Sequence, residues 1–516
     1  MLFDFRYKFI ESTPNVLKSK WIIFVMVAIS TTLDLLNVTS LLVSTKFIAE
    51  KYNISTPIAS WTLSAYAITF SGFIAFQGRV GDIIGHDNQF ILNSFVFSIW
   101  SLLCGVVDKI YAYIVFRAFQ GIAAAALIPS NFAIIASIFE NKQLNIALTI
   151  LTGVLITSTA LGLIVGGAFL RINVHQHGIG YLTAAVSLSL GLMAVFNFPK
   201  LQKSKDRLKN LDYIGSLILI SGLLLTVVGF TEAGESWKTP KAYVVLIVGL
   251  LLIGFFFIFE NYICLKYFPK THLLVPSSIW KIPNYLPLVF NSILNYSAYF
   301  GIMFISTSYS LNIDEVSPLI AGVRYFPFVV TMVIGVLVLT QVYGKFSQKW
   351  TSTLGFFIAT LGLILFTRMD YKIHNYYWKF SFTGQILVSG GCCLYFVHYL
   401  NMIIENAPIE VQGIVSGIAQ TFAQFGVALA FAVITSIVSE DVTDKDYLSK
   451  RYQYGSYFCL ACFGAGTLLL TLFVHDVKPN QVKIDGSLDN SESKDEKTEG
   501  IIGRGSVSLK DIDGLV

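Results

Sequence analysis

Apolar residues run through this chain in long unbroken blocks. They do not recur at every second or every third to fourth position, as they do on the buried face of a soluble strand or helix. Blocks of about 20 residues, long enough as helix to cross roughly 30 Å of hydrocarbon, can be counted from end to end. They begin near Trp21, Ile58, Phe90, Tyr111, Leu144, Gly178, Tyr213, Ala242, Tyr285, Pro318, Thr351, Trp378, Gly413 and Tyr454. Backbone in lipid must satisfy its hydrogen bonds within each segment or in a closed barrel, so the pattern predicts an all-α membrane protein with about 14 transmembrane helices.

Polar breaks divide the chain into five parts. Residues 1–20 form an N-terminal segment, 21–198 a six-helix bundle, 199–283 a basic linker with two additional helices, 284–475 a second six-helix bundle, and 476–516 a polar tail. The tail has no apolar period and is expected to be disordered. Lys and Arg near span ends set orientation. Arg6, Lys8, Lys18 and Lys20 precede the first span, and Lys200, Lys203, Lys205, Arg207 and Lys209 precede the seventh, so both chain ends are expected in the cytoplasm. Lys445, Lys450 and Arg451 fall on the opposite side, interspersed with acids. Lys18 and Lys20 lead straight into a long apolar run, so the first span is expected to stay in the mature protein. Asn53-Ile54-Ser55 is a glycosylation sequon in the first outer loop.

Composition agrees with this picture. The chain of 516 residues is 54% hydrophobic and 13% charged, too few charges to coat a soluble fold of that size. A net charge of +5 spread over short loops gives no basic stripe for nucleic acid. The six cysteines lie mostly inside apolar runs, and the pair Cys459 and Cys462 has no second pair or histidine cluster nearby, so neither a disulfide framework nor a metal site is expected. No GxxxxGK[ST] segment is present to cradle a nucleotide phosphate.

Ionisable side chains inside spans cost at least about 2.5 kcal/mol each and need a reason to be there. Asp34 in the first span and Arg117 in the fourth are the foremost cases. A rise of 1.5 Å per residue puts Asp34 roughly 20 Å above the inner edge and Arg117 roughly 9 Å below the outer one, at similar depth. The two side chains can pair if the helices are neighbours. Either Asp34 titrates as the pair separates, or the pair is static and fixes packing. Arg324 near the outer interface can snorkel, Glu260 reads as a solvated span end, and His398 reads as a buried, hydrogen-bonded histidine. Gly162 and Gly166 form a GxxxG with Gly167 adjacent, and Gly121 opens a run of alanines; both patterns allow close helix approach.

At these positions the chain resembles the major facilitator superfamily, in particular its fourteen-span drug:proton antiporter branch and the yeast members linked to aminotriazole resistance and low-affinity ammonium transport. The loop between the second and third spans, Gly78-Arg-Val-Gly-Asp82-Ile-Ile-Gly85-His86, is similar to the superfamily's most specific signature. The resemblance implies that its glycines let two helices approach. It also implies that Asp82 faces the start of the helix near Gly413 and latches the outward-open state. Arg117, Gln120 and Gly121 resemble the fourth-span motif implicated in proton coupling, and Asp34 with Asn37 resembles the first-span motif. Trp61, Tyr66 and Thr69 are similar to the second-span pattern. Two departures stand out. Asp87 and Asn88 replace the usual basic residues of the loop, and Leu163 and Ser158 replace the fifth-span proline and a glycine of antiporters.

The resemblance implies a secondary transporter of small molecules in the plasma membrane, or alternatively the vacuolar membrane, with no enzymatic activity. It implies a monomer embedded in the lipid bilayer, driven by the proton gradient without a cofactor, and exporting toxic compounds in exchange for protons. The alternatives are a facilitator for a small polar solute such as ammonium or boric acid, and a membrane nutrient sensor signalling through its tail.

Overall fold

The computed structural model of the protein describes residues 19–476, apart from 173–174, 202–207, 236–239, 268–272, 276, 343–345, 408–411 and 439–443. The segment 1–18 and the tail from 477 onward lie outside the described residues, and with them the expectation of a disordered tail.

Among the described residues, fourteen helices are long and apolar enough to cross a membrane. The first bundle comprises α1 (Lys20–Tyr52), α2 (Thr56–Ile84), α3 (His86–Val106), α4 (Ile110–Ile138), α5 (Asn141–Arg171) and α6 (His175–Asn197). Two more follow, α7 (Tyr213–Glu235) and α8 (Pro240–Ile258), and α8 runs on into a π-helical turn, Phe259–Cys264. The second bundle is α9 (Tyr285–Asn312), α10, α11 (Gln348–Phe366), α12, α13 (Gln412–Ile437) and α14 (Lys445–Phe473). Helix α10 is broken into Pro318–Val323 and Phe326–Val342, and α12 begins with a π-helical turn, Tyr377–Ser381, before Phe382–Glu405.

Caps explain several boundaries. Ser317 and Ser347 accept the backbone N–H three residues on, at Ile320 and Trp350, where a new helix needs an acceptor. Asn53 ends α1 in the left-handed region, at φ 50°, with its side chain exposed. Gly85 separates α2 from α3 at φ 93°, a backbone that a residue with Cβ rarely adopts.

The bundle ends carrying the 84–86, 139–140 and 199–211 connections are those for which the charge bias predicts the cytoplasm; they are the inner ends below. The two six-helix halves meet along α2 with α13 and along α5 with α10. The additional hairpin α7–α8 lies beside the first of these seams, with α7 against both α2 and α13. Helix α8 packs mainly on α7 and turns Ile247, Leu250, Leu251 and Ile258 outward, as a lipid-facing helix does.

Close backbone approach holds the outer part of the seam shut. A Cβ on Gly167 of α5 would come within 2.6 Å of the Pro318 carbonyl oxygen, and one on Gly322 of α10 within 2.7 Å of the Leu163 carbonyl oxygen. Gly162 and Gly166 serve the contact of α5 with α1 in the same way, against Leu36 and Ser40. Gly166→Val should therefore lower the stability of the detergent-purified protein by about 1–3 kcal/mol or more. Gly254→Ala, on the open face of α8 with nothing within 4 Å, should leave it unchanged. Parallel thermal unfolding of the two variants checks the contrast.

Candidate functional site

Helices α1, α2 and α4 bring three polar side chains together in the interior of the first half. Asp34 is 5% exposed and Arg117 is fully buried. The Tyr66 hydroxyl of α2 donates a hydrogen bond to Asp34 Oδ1, and the Arg117 guanidinium lies over the Tyr66 ring, 4.4 Å from its centroid. Asp34 and Arg117 thus sit on either side of one tyrosine, and among the described residues no direct ion pair joins them. The direct contact that equal depth permits is replaced by a relay through the Tyr66 side chain.

The rest of Arg117 is held by geometry that only a guanidinium can meet. Nε donates to the Thr62 carbonyl at 2.9 Å and Nη1 to Gln120 Oε1 at 2.7 Å. Gln120 in turn donates to Ser101 Oγ of α3 at 2.6 Å. Gly121 makes this possible: a Cβ there would lie 2.5 Å from the Tyr66 carbonyl oxygen, so α4 reaches α2 only because the side chain is absent. Thr69 adds a bond across the same contact, to the Ala118 carbonyl at 2.8 Å.

Asp34 also touches the boundary between the halves. It lines a small cavity of about 10 Å³ with Leu35, Val38, Tyr66 and Phe70 from the first half, and Phe300, Gln424 and Val427 from the second. That is about the space of one water molecule. Thr159 Oγ1 of α5 and the Tyr299 hydroxyl of α9, 3.0 Å apart, form a further polar contact across the seam.

A larger cavity of about 250 Å³ lies between the inner ends of the halves. Its apolar wall includes Ile128, Phe132, Leu148 and Phe396; its polar lining includes Arg79, Asp82, Thr152 and Asn401. With the outer seam closed and this space between the inner ends, the molecule is inward-facing.

The loop signature lies at the rim of this cavity. Asp82 accepts from or pairs with His86 Nε2 at 3.1 Å. Residues 408–411, before α13, lie outside the described residues; Ser416 and Gly417 of α13 line the same cavity as Asp82. Gly78 is not tightly packed here, since a Cβ on it would have Pro129 as its nearest neighbour at 3.9 Å. Gly81 is the crowded glycine of the loop, against His86 and Gln89. Asp87 is buried in the first turn of α3, where the helix dipole favours an acid.

Arg324 is half-buried at the break in α10, paired with Asp314 and 4.8 Å from the Tyr377 ring centroid, and lines neither cavity. One expectation needs correction. Glu260 is not a solvated end. It is 1% exposed, and its carboxylate accepts the Leu274 N–H at 2.5 Å and the Val275 N–H at 2.8 Å. His398 is buried in α12 and lines neither cavity. The six cysteines are buried free thiols.

Tyr66 was the residue whose role sequence reasoning missed. It stood in the second-span pattern, but nothing in the spacing showed that it would bridge Asp34 and Arg117.

Two six-helix halves around a cavity, with a buried acid and guanidinium near the seam, are the architecture of a multi-pass membrane transporter. The sequence profile of the Major Facilitator Superfamily matches residues 24–431, and the chain belongs to that superfamily. It is similar to the aminotriazole resistance protein of Saccharomyces cerevisiae, 22% identical over 476 residues, covering 89% of this chain and 86% of that protein. The low affinity ammonium transporter of the same yeast is 24% identical over 433 residues, covering 80% of each chain. Among solved structures, the human organic anion transporter MFSD10 superposes with a TM-score of 0.59 at 14% identity, over 87% of this chain and 98% of that one, which supports the fold. The chain is an integral membrane transporter, and family and relatives point away from an enzyme.

Arg117→Lys should not substitute for arginine, because one ammonium cannot bond Thr62 and Gln120 while covering the Tyr66 ring. Gln120→Leu should leave the guanidinium short of a charged hydrogen bond worth about 1.5–3 kcal/mol. Both variants should melt below wild type in the same detergent.

Proposed function

We propose that the protein exports amphiphilic small molecules in exchange for protons, with Asp34 as the carboxyl group that couples the two movements. The observation that carries this reading is the position of Asp34. It is buried and bonded to Tyr66, yet borders a small cavity whose other wall belongs to the opposite half. A charge change there acts directly on the surface along which the halves move.

Arg117 and Tyr66 give the carboxylate its counterpart. A charged Asp34 is stabilised by the hydroxyl donor and by the guanidinium beyond the ring. Proton uptake removes the negative charge, weakens that attraction and lets α1 shift against α2 and α4. The apolar wall of the inner cavity suits a substrate with an apolar body, while Arg79, Asp82, Thr152 and Asn401 offer polar contacts. In this scheme the inward-facing molecule loads substrate from the cytoplasm, and protons entering from outside reset it. The plasma membrane is the location that fits export from the cell.

A second reading is uncoupled passage of a small polar solute. A relative named as an ammonium transporter and the absence of the antiporter proline at Leu163 favour it.

Reconstituted protein with an imposed proton gradient separates the two. Asp34→Asn should abolish gradient-driven transport of aminotriazole or puromycin while the variant still purifies in folded form. Tyr66→Phe should reduce it by about tenfold, the kinetic equivalent of one charged hydrogen bond. Undiminished transport by Asp34→Asn, or an undiminished rate with the gradient collapsed, contradicts the antiport reading.

A further inference from the structure

The lining of the inner cavity changes with depth. Its ionisable residues are Arg79, Asp82 and His86, all at the inner ends of α2 and α3 and so at the rim. These rim charges are engaged: Arg79 Nη2 donates to the Leu273 carbonyl at 2.9 Å, and Asp82 pairs with His86 at 3.1 Å. Above the rim, no described lining residue carries a charge.

The upper end of the cavity is polar without being ionic. Gln420 of α13, Phe396 of α12 and Thr152 of α5 line it, and they stand about 12, 14 and 16 Å from the inner ends of their helices at 1.5 Å per residue. Two of the three belong to the second half and one to the first, so a molecule seated among them touches both. Gln420 is 7% exposed, and its carboxamide has both donors and an acceptor. Thr152 Oγ1 donates its hydrogen to the Leu148 carbonyl at 2.9 Å, so what it has left for a ligand is an acceptor. Phe396 is set edge-to-face against Tyr296 and Tyr299 of α9, with ring centroids 5.3 and 5.6 Å apart, which fixes it as an aromatic wall.

The one carboxyl group near this depth belongs to a different space. Gln424, one turn outward from Gln420 on α13, and Phe70, one turn outward from Ile74 on α2, line the small cavity of Asp34 and not the inner one. Phe70 is itself buried and stacked on Tyr66. A ligand in the inner cavity therefore meets no carboxylate above the rim.

We propose, on the reading that substrate loads from the inner cavity, that Gln420 and Thr152 hold an uncharged head group bearing an N–H or O–H, with an aromatic body against Phe396, and that the protein selects neutral amphiphiles over permanent cations. An amide or amino-heterocycle gives its N–H to Thr152 or Gln420 and accepts the Gln420 N–H in return, so no polar group is buried unpaired. A permanent cation in the same place exchanges its water for two dipoles and no counter-ion, and the face of one phenyl ring returns far less than that desolvation costs.

Equilibrium binding tests this, by dialysis of the full chain in nanodiscs against empty nanodiscs with no gradient imposed. Two probes share one apolar body: N-(1-naphthyl)acetamide is uncharged and has an N–H and a carbonyl, whereas trimethyl(1-naphthyl)ammonium is a permanent cation without an N–H. The wild-type protein should bind the acetamide about tenfold or more tightly than the ammonium. Gln420→Leu should raise the Kd of the acetamide about tenfold, the equivalent of one well-placed hydrogen bond, and leave that of the ammonium unchanged. Thr152→Val keeps the size and removes the acceptor; it should act in the same direction, and it serves where Gln420→Leu does not fold. The proposal is overturned by ammonium binding as tight as that of the acetamide, by the lack of saturable acetamide binding, or by acetamide binding indifferent to both variants. Ammonium binding that Asp34→Asn abolishes overturns it as well, because the head group then sits in the small cavity. Proton coupling plays no part in this readout, so failure of the antiport reading in the flux assay leaves the binding result standing, and the reverse.

Discussion

Arg117 carries a charge that cannot leave the interior of the first half, and the arrangement of α1, α2, α3 and α4 follows from where that charge is satisfied. The guanidinium is bonded to a backbone carbonyl of α2 and to Gln120, which passes the connection to α3, while its face rests on Tyr66. Through Tyr66 the same charge reaches Asp34 on α1. Without such partners an ionised side chain at this depth is strongly unfavourable, so the four helices are fixed relative to one another by one residue's hydrogen-bonding needs. Gly121 is the steric condition for it, because α4 must come within contact of the α2 backbone.

The first half is thus tied together internally by polar bonds, and it meets the second half along a largely apolar seam. Asp34 marks the place where the polar network of that half meets apolar residues of the other, Phe300 and Val427, with Gln424 as the polar exception. At the outer end α5 and α10 meet glycine to backbone, Gly167 against Pro318 and Leu319 and Gly322 against Leu163. At the inner end the halves are spread by a cavity, and the additional hairpin bears on this end through Glu260 and the 273–275 segment. The two extra helices are therefore connected to the moving part of the molecule, not only placed in the lipid beside it.

Much of this was legible in the amino-acid sequence, for identifiable reasons. Span number and position follow from the length of apolar runs, a constraint the bilayer imposes directly. Asp34 and Arg117 stood out because charge inside such runs is costly, and Gly121, Gly162 and Gly166 because small residues mark close crossings. What was not legible depends on which side chains meet in space. Tyr66 looks like any of the 25 tyrosines until its hydroxyl is seen on Asp34 and its ring under Arg117. Glu260 followed an apolar run closely enough to pass for its solvated end, and only the fold of residues 273–275 back over it buries the carboxylate. The partner of Arg324, Asp314, lies ten positions earlier in the turn after α9, a pairing that spacing alone does not show. Gly78 matched a signature whose tight packing is absent from the inward-facing arrangement, where it borders the cavity.

The central claim, that solute movement is tied to a proton carried by Asp34, is tested most directly by recording both fluxes at once. Proteoliposomes containing wild-type protein and an internal pH-sensitive dye receive a pulse of aminotriazole, puromycin or ammonium, with no imposed gradient. The account predicts that uptake of a transported compound is accompanied by stoichiometric proton movement in the opposite direction, absent from Asp34→Asn. Compound crossing the membrane without any change in internal pH beyond its own acid–base equilibrium, at the same rate in both proteins, would contradict it.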